Sequence, residues 1–347
     1  MGNMKKFDKP TVVVASLEFH RHPRAQKILK TLAEGGFNVE AWAARDVKIR
    51  FRLLRALIRY FTAMCSLALK NADIFWIENV PDIVYLPLLL KKSKYVYDRR
   101  SPWALEIKSE FKNEIFKKIA EVIERALMKR ASALVAVSKG LACEVSPYDK
   151  LVEVIPNYPE SSMSNLIVRD LREEFNISPS TKILIYLGKL SYIEGADLLP
   201  KIAKVLEKED AELWILGDGP LADIIRKTSE KYVNTRWFGW VPHREVPNYI
   251  MASDIGIVPR HKNRYKIMYS YEGIHKISEY FLFGKPVIAS EIAPSRYYLV
   301  VKEEELPNAV VRAVRNDLIL PKPPRLTWER YCRSKVLDVV EKVLADG

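Results

Sequence analysis

A chain of 347 residues, 48% hydrophobic and 29% charged, is too apolar for a disordered protein and too long for one ordinary core, so two domains are expected. No apolar run approaches the ~20 residues a bilayer-crossing helix needs. The three cysteines, Cys65, Cys143 and Cys332, are too scattered to form a disulfide framework or a metal motif.

The net charge of +13 is uneven: residues 1–150 hold 28 Lys/Arg against 16 Asp/Glu, and residues 151–347 hold 28 against 27. The basic half should attract an anionic partner, whether a phospholipid surface, a phosphorylated lipid or nucleic acid. The basic N-terminus runs into TVVVASL, which reads as a first strand rather than a signal peptide. The expectation is a reducing, cytoplasmic setting.

In chain order, strands are predicted at 11–16, 38–43, 73–77, 94–98, 132–138 and 151–156, where β-branched residues cluster. Helices are predicted between them at about 23–35, 50–70, 82–92, 102–130 and 139–146. The polar stretch NYPESSMSNLIVRD (157–170) breaks this pattern and is the expected linker. The plan then repeats, with strands at 182–188, 211–217, 235–239, 254–259 and 285–290 and helices at about 195–208, 220–232, 244–252 and 274–283. A proline-rich turn, PKPPRL, precedes a last helix, TWERYCRSKVLDVVEKVL. Strand–helix alternation of this kind predicts right-handed βαβ units, so the fold class expected is α/β, with two doubly wound parallel-sheet domains facing a central cleft. Ligands of such sheets sit beyond the carboxyl ends of the strands, so the residues just after each strand matter most.

Three stretches stand out there. In LWILGDGPLAD, Gly217, Gly219 and Ala222 formally match a dinucleotide fingerprint. A tight turn with Pro220 opening a helix explains them as well, and WFGWVPH offers no acidic residue for a ribose. In YLGKLSYIEGADLL, Lys189 directly follows Gly188 at a strand end and either holds a phosphate or is an ordinary surface lysine. In SYEGIHKISEYFLFGKPVIAS, Lys276 and Glu279 share a helix face beside Glu272 and Gly273. They are either a solvated ion pair or a phosphate cation with a carboxylate for ribose hydroxyls.

Taken together, YLGKL…EGADLL, LWILGDGP, FGWVPHREVPNYIMASDIGIVPR and EGIHKISEYFLFGKPVIAS resemble the donor domain of GT-B glycosyltransferases of the group 1, or GT4, type. RAQKILKTLAEGGFNVEAW, RASALVAVSKGLA, VIPNYPE and TWERY are similar to the remainder of that family. The resemblance implies a retaining transfer of sugar from a nucleotide sugar, with no cofactor and no metal, and the chain has no D-x-D. It implies an acceptor domain over 1–160, a donor domain over 170–320 and a closing segment, 321–347, that packs toward the first domain.

The donor-binding set it implies is Gly188, Lys189, Trp240, Val241, Glu272, Gly273, Lys276 and Glu279. Within it, Lys189 and Lys276 meet the departing diphosphate, supported by Arg260, Lys262, Arg264 or Lys266. Glu279 takes the ribose, and Trp240 and Val241 lie near the base. The sequence departs from the family at three points. Six residues rather than seven separate Glu272 from Glu279, which leaves Tyr271 at the spaced position. Glu194 precedes Gly195 where a second phosphate cation is usual, and a carboxylate there would repel a diphosphate. In YVYDRRSPW, Asp98, Arg99 and Arg100 stand where a histidine is common. Asp98 is then a base, an acceptor-orienting group or an arginine's partner. The loop EFHRHPR offers His20, Arg21, His22 and Arg24 to an acceptor or a phosphate, or to solvent.

The first half also carries two basic amphipathic stretches. Residues 50–70 set Arg52, Arg55 and Arg59 among Phe51, Leu54, Leu57, Ile58, Phe61 and Met64. Residues 111–130 set Lys112, Lys117, Lys118, Arg125, Lys129 and Arg130 beside Ile115, Ile119, Val122 and Ile123. They suit the inner face of a membrane, or their apolar faces cover the sheet. No nucleic-acid-binding motif accompanies them, so nucleic acid is not an expected partner. The expected partners are a nucleotide-sugar donor and an anionic lipid or saccharide acceptor. Two competing readings are a nucleotide-sugar epimerase of the same fold and a degenerate GT-B binding module.

Overall fold

The computed structural model describes residues 9–111, 113–148, 150–263 and 266–346. Lys112 and Arg264 lie outside the described residues, as do the side chains of Arg21 and Arg52. The first elements are β1 (Thr11–Ala15), α1 (Pro23–Glu34), β2 (Asn38–Trp42), α2 (Arg52–Leu69), β3 (Ile74–Glu78), β4 (Lys94–Arg99), α3 (Trp103–Phe111), α4 (Glu114–Arg130), β5 (Ala133–Ala136), α5 (Lys139–Val145) and β6 (Leu151–Val154). There follow α6 (Leu171–Glu174), β7 (Lys182–Leu187), α7 (Leu199–Leu206), β8 (Ala211–Leu216), α8 (Ala222–Lys231), β9 (Thr235–Trp237), α9 (Val246–Ala252), β10 (Ile255–Val258), α10 (His275–Leu282), β11 (Val287–Ser290), β12 (Leu299–Val301), α11 (Leu306–Val314), α12 (Trp328–Tyr331) and α13 (Arg333–Ala345). The chain divides into two units, Met1–Pro156 with Tyr331–Gly347, and Asn157–Arg330.

The first unit holds a parallel sheet of order β2-β1-β3-β4-β5-β6. β1, β3 and β5 are near-continuous apolar runs because helices cover both faces of the sheet. Val13, Phe75, Tyr97 and Leu134 pack on Ala63, Leu67, Leu127 and Met128 of the helices. The run expected as one helix over 102–130 is two, because Asn113 accepts from Ile115 N (2.8 Å) and Phe116 N (3.4 Å) and so caps α4. The helix expected near 82–92 is a 3-10 helix over Asp82–Leu89 with Pro87 inside it, where an α-helical hydrogen bond has no donor. At the far end of the chain, α13 buries Val336, Val339, Val340 and Val343 along one stripe. Lys335 fastens it to Glu153 (2.6 Å) and Arg333 to Glu34 (3.1 Å).

The amphipathic helices of this unit turn much of their apolar surface outward. α2 buries Ala63 and Leu67 but exposes Leu54, Leu57 and Phe61, with Phe51 exposed just before it. α4 buries Ala120, Leu127 and Met128 but exposes Ile115, Phe116, Ile119 and Val122. The stripes read from the sequence therefore do not all cover the sheet. Among the described residues, no helix is long and apolar enough to cross a membrane.

The second unit holds a parallel sheet of order β12-β11-β10-β7-β8-β9. Its core sets Leu184, Tyr186, Leu213, Ile215 and Ile257 against Leu199, Ile202, Ile225 and Val310. β12 and α11 went unpredicted: the first is three residues long, and the second follows three glutamates, Glu303–Glu305. Pro220 lies in a turn and α8 begins two residues later, at Ala222. Gly217 serves close packing. Its φ is +139°, and a Cβ there would stand 1.8 Å from the Gly188 carbonyl oxygen. The two strand ends thus approach backbone to backbone. Gly217→Ala should lower stability by roughly 2–4 kcal/mol, read as a fall in the urea midpoint. An unchanged midpoint would mean that β7 and β8 do not meet this closely.

Candidate functional site

In an open parallel sheet, ligands collect where the strand order reverses. In the second sheet that point lies between β7 and β10. Gly188 follows β7 and Arg260 lies just past β10, and Lys276 comes from the first turn of α10. Gly188, at a φ of +137°, has no side chain to crowd Lys276, for a Cβ there would lie 2.8 Å from the Lys276 Nζ. Lys276 is buried, with Nζ 4.5 Å from the centre of the Tyr186 ring.

Glu194 organises these cations. Its Oε2 accepts from Lys276 Nζ at 2.9 Å and its Oε1 accepts from Arg260 NH2 at 2.7 Å. The loop is pressed into place, since a Cβ on Gly195 would stand 2.4 Å from the Pro259 carbonyl oxygen. Arg260 also donates to the Ile193 carbonyl oxygen (2.8 Å) and lies over the Tyr269 ring. Burial alone would raise the Glu194 carboxyl, but attraction and hydrogen bonds from Lys276 and Arg260 bring it down to about 2. Burial lowers the Lys276 ammonium, and Glu194 opposes that shift.

One turn along α10, Glu279 is buried. Its Oε1 accepts from His243 Nε2 at 2.8 Å and from His275 Nδ1 at 3.3 Å. A carboxylate only accepts, so each of those ring nitrogens carries a proton. Burial would raise the Glu279 carboxyl, but the two histidines hold it at about 2. Glu279 is thus neither turned outward nor sealed under hydrophobes: it sits beneath a largely exposed His243. Glu272 is buried, and its carbonyl oxygen accepts from Asn157 N at 2.7 Å. Gly273 lies in the turn before α10, where its N–H donates to the Ser270 carbonyl oxygen. Tyr271, at the position where the family spacing calls for a glutamate, stacks on Tyr158 with ring centres 6.4 Å apart. Lys189 is exposed, Trp240 is 73% exposed and Val241 is half-buried. Lys262 is exposed, and Lys266 lies 3.6 Å from Glu291.

In the first unit the strand order reverses between β1 and β3. Of the roles left open for Asp98, the structure shows the arginine's partner: Asp98 and Arg24 form a buried bidentate pair. Asp98 accepts from Arg24 Nε and NH2, both at 2.8 Å, and from Trp76 Nε1 at 3.0 Å. The remaining Arg24 nitrogen donates to the Ile155 carbonyl oxygen (2.8 Å). Neither side chain faces solvent, so arginine pairing is the geometry of Asp98. Arg99 is buried on Glu144 (2.7 Å). Arg100 is half-buried and donates to the Asn79 carbonyl oxygen (3.0 Å). His20 is exposed, and His22 joins Ser16 and Glu78.

The sequence reading missed His243 and His275 around Glu279, and Ser16 and Glu78 around His22. The i, i+4 spacing of His275 and Glu279 was a usable signal. His243 lies 36 residues from Glu279 and Glu78 lies 56 from His22, and no local pattern joins them.

Glu194→Gln leaves Lys276 and Arg260 without their anion, a loss that costs about 3–5 kcal/mol in a fully buried pair and less here, where 24% of the Glu194 side chain is exposed. The carboxyl is depressed, so its contribution is fully present above about pH 4.5 and is lost as pH falls toward about 2. The melting-temperature gap between wild type and Glu194→Gln should therefore be widest near neutrality and close across that acid range. A gap that persists unchanged into acid would refute the ion pairing.

Residues 181–317 match the family model described as glycosyl transferases group 1. The putative teichuronic acid biosynthesis glycosyltransferase TuaH of Bacillus subtilis is 25% identical over 228 residues, 61% of this chain and 54% of that protein. The chain spans about half to two thirds of the length of the curated relatives it matches. Among solved structures, sucrose-phosphate synthase from Thermosynechococcus elongatus superposes with a TM-score of 0.74 at 14% identity, covering 98% of this chain and 100% of that one. Anabaena HepE in complex with UDP-glucose superposes with a TM-score of 0.64 at 12% identity, covering 97% and 100%. Similarity at this level of identity is similarity of fold. The chain has the GT-B fold, and the match to the group 1 glycosyl transferase model falls within its second unit.

Proposed function

We propose that the protein transfers a sugar from a nucleotide sugar to an acceptor hydroxyl. The observation that carries this reading is the convergence of Lys276 and Arg260 at the reversal point of the second sheet, with Glu279 buried one turn away. A nucleoside diphosphate leaving group needs fixed positive charge where its own charge grows. Lys276 and Arg260 supply that charge once donor phosphate displaces the Glu194 carboxylate. One anion then replaces another, and the cations need not be stripped of water first. Exposed Lys189 closes on the phosphates from the strand end. Glu279, its charge secured by two histidines, accepts hydrogen bonds from ribose hydroxyls, and exposed Trp240 offers a face to the base. The protein cations do the work of charge neutralisation, so we assign no metal. The resemblance implies retention, which the anomeric coupling of the product would read.

The acceptor reading is a lipid-linked or growing saccharide at the cytoplasmic membrane face, with the first unit as the acceptor side. Its support is the pairing of outward apolar residues on α2 and α4 with the exposed cations Arg55, Lys118, Arg125 and Lys129, a combination that suits an anionic bilayer surface. The relation to TuaH, named for teichuronic acid biosynthesis, fits a cell-envelope glycan.

A thermal-shift screen with UDP, GDP, ADP and their sugars should raise the melting temperature with one nucleotide family, since a ligand of the native state stabilises it according to affinity. Glu279→Ala should weaken that nucleotide about tenfold to a hundredfold by calorimetry, the scale of a hydrogen bond to a charged group. Unchanged affinity in the folded variant would remove Glu279 from the site. Incubating the donor alone distinguishes epimerisation from transfer, because only an epimerase yields the epimeric sugar nucleotide. Sedimentation with phosphatidylglycerol vesicles should pull the protein down in a salt-sensitive way, and the double variant Leu57→Asp, Phe61→Asp should lose most of this. Equal binding to neutral vesicles, or an unaffected variant, would refute the bilayer surface.

A further inference from the structure

In the second unit, the loops after β7 and β10 are tied a second time, one residue past Arg260. His261 reaches Asp197 Oδ1 with its Nε2 at 2.9 Å and Glu303 Oε2 with its Nδ1 at 3.1 Å. Asp197 lies in the 3-10 helix Ala196–Leu198, three residues past Glu194, and Glu303 follows β12. Lys262 N also donates to Glu303 Oε2, at 3.0 Å. Each ring nitrogen thus faces a carboxylate oxygen that can only accept. A neutral ring has one proton, and its bare nitrogen would set a lone pair against an anion, so this arrangement is that of the imidazolium.

The two sides of this tie differ. On the β10 side the backbone is already fixed: Arg260 N donates to Ser290 Oγ at 2.8 Å, and Ser290 Oγ donates to the Arg260 carbonyl oxygen at 2.7 Å. On the β7 side, residues 188–195 have a glycine of positive φ at each end, Gly188 (+137°) and Gly195 (+68°), with exposed Tyr192 and Ile193 between them. Ion pairs join that side to the fixed one at Arg260–Glu194 and at His261–Asp197. When donor phosphate takes Arg260 from Glu194, the first pair is lost and the second stays. Burial lowers the pKa of the His261 ring, but hydrogen bonds and attraction from Asp197 and Glu303 outweigh it and hold the pKa above the usual histidine value. The other charged groups here are Lys201, which acts on Glu303 from α7, exposed Lys262, and Arg260, matched by Glu194.

We propose that His261 is a positioning residue for donor binding: charged between Asp197 and Glu303, it keeps the 188–195 loop and its Lys189 seated on the donor phosphates after Glu194 has given up Arg260. This rests on the reading of the second unit as a nucleotide-sugar site. His261 itself needs no bond to the ligand. A histidine whose pKa is raised by its partners contributes fully below its ordinary value of about 6.5, and the contribution is lost as pH rises through the raised one. Donor affinity should therefore be highest in mildly acid solution and fall on the alkaline side. Glu194, with its carboxyl at about 2, stays ionised throughout that range and adds no slope of its own.

UDP-glucose is the probe, because both its phosphates are diesters that stay singly charged near neutrality, whereas the terminal phosphate of UDP titrates there. At about pH 6, His261→Gln should weaken UDP-glucose about two- to fivefold by calorimetry, the scale of a partly exposed ion pair, and should raise KM for donor hydrolysis more than it lowers kcat. At about pH 9 the two proteins should bind alike. The chain has five histidines, so 15N-histidine labelling gives five ring systems, and His261→Gln identifies one by its loss. Asp197→Asn should lower the midpoint of that ring and move the inflection in donor affinity down with it. His243 and His275, which face Glu279, are common to all three proteins and drop out of the comparison. A neutral His261 ring at about pH 6, or an affinity gap that does not change with pH, overturns the proposal. Without any donor, Glu194→Gln removes the first ion pair, and adding His261→Gln to it should speed amide exchange over residues 191–195 at about pH 6. If the wild type binds neither UDP nor UDP-glucose, the donor reading falls separately, and this exchange comparison decides for or against His261 as the residue that holds the loop.

Discussion

Two buried cations cannot lie side by side unless an anion lies between them. Lys276 comes from a helix, Arg260 from the loop after β10 and Glu194 from the loop after β7, and the carboxylate joins all three. That one ion cluster sets the shape of the second unit's ligand end. It requires Gly195 to lie against Pro259 and Gly188 to leave room for the lysine, and it gives each cation aromatic support, from Tyr186 and Tyr269. The carboxylate that looks misplaced beside a diphosphate is what allows the two charges to be assembled before any diphosphate arrives.

The same sheet logic is used twice with opposite chemistry. Where the second sheet reverses, positive groups are held by a carboxylate that keeps some exposure. Where the first sheet reverses, the carboxylate is the buried member, and His22 and Arg100 keep some exposure. The first arrangement answers to an anionic group, which can take over the carboxylate's place. A parallel sheet supplies both positions for a geometrical reason: at the reversal, the loops after adjacent strands diverge and leave a gap.

Much of the fold was legible because buried parallel strands need β-branched runs, and TVVVAS, KILIYLG and AELWILG can be little else. What failed to read were elements whose cause is not periodic. Asn113 divides a long helical pattern through a single cap, Pro87 tightens a helix into a 3-10 turn, and β12 is too short to show alternation. The site divides along the same line. Lys276, Glu279, Gly188 and Lys189 follow predicted strands or share a helix face, so spacing made them candidates. The Arg24–Asp98 pair spans 74 residues, and Lys276–Glu194 spans 82. Glu194 was visible only as a departure. Its partners come from the sheet's crossover, which no local window contains.

The charge asymmetry takes on a different meaning once the pairs are counted out. Inside the first unit, Arg24 and Arg99 are each matched by a carboxylate, and Arg59 meets Glu18. The basic excess of residues 1–150 is therefore carried by side chains such as Arg55, Lys118, Arg125 and Lys129, which stand in solvent. They share helices with Leu57, Phe61, Ile119 and Val122, whose apolar groups are also in solvent. Water rewards neither arrangement: the cations repel one another and the apolar groups stay hydrated. An anionic bilayer surface relieves both at once, since its headgroups neutralise the first and its acyl boundary takes up the second. Nucleic acid would relieve only the first, and a purely apolar partner only the second, which is why the two features together favour a lipid surface.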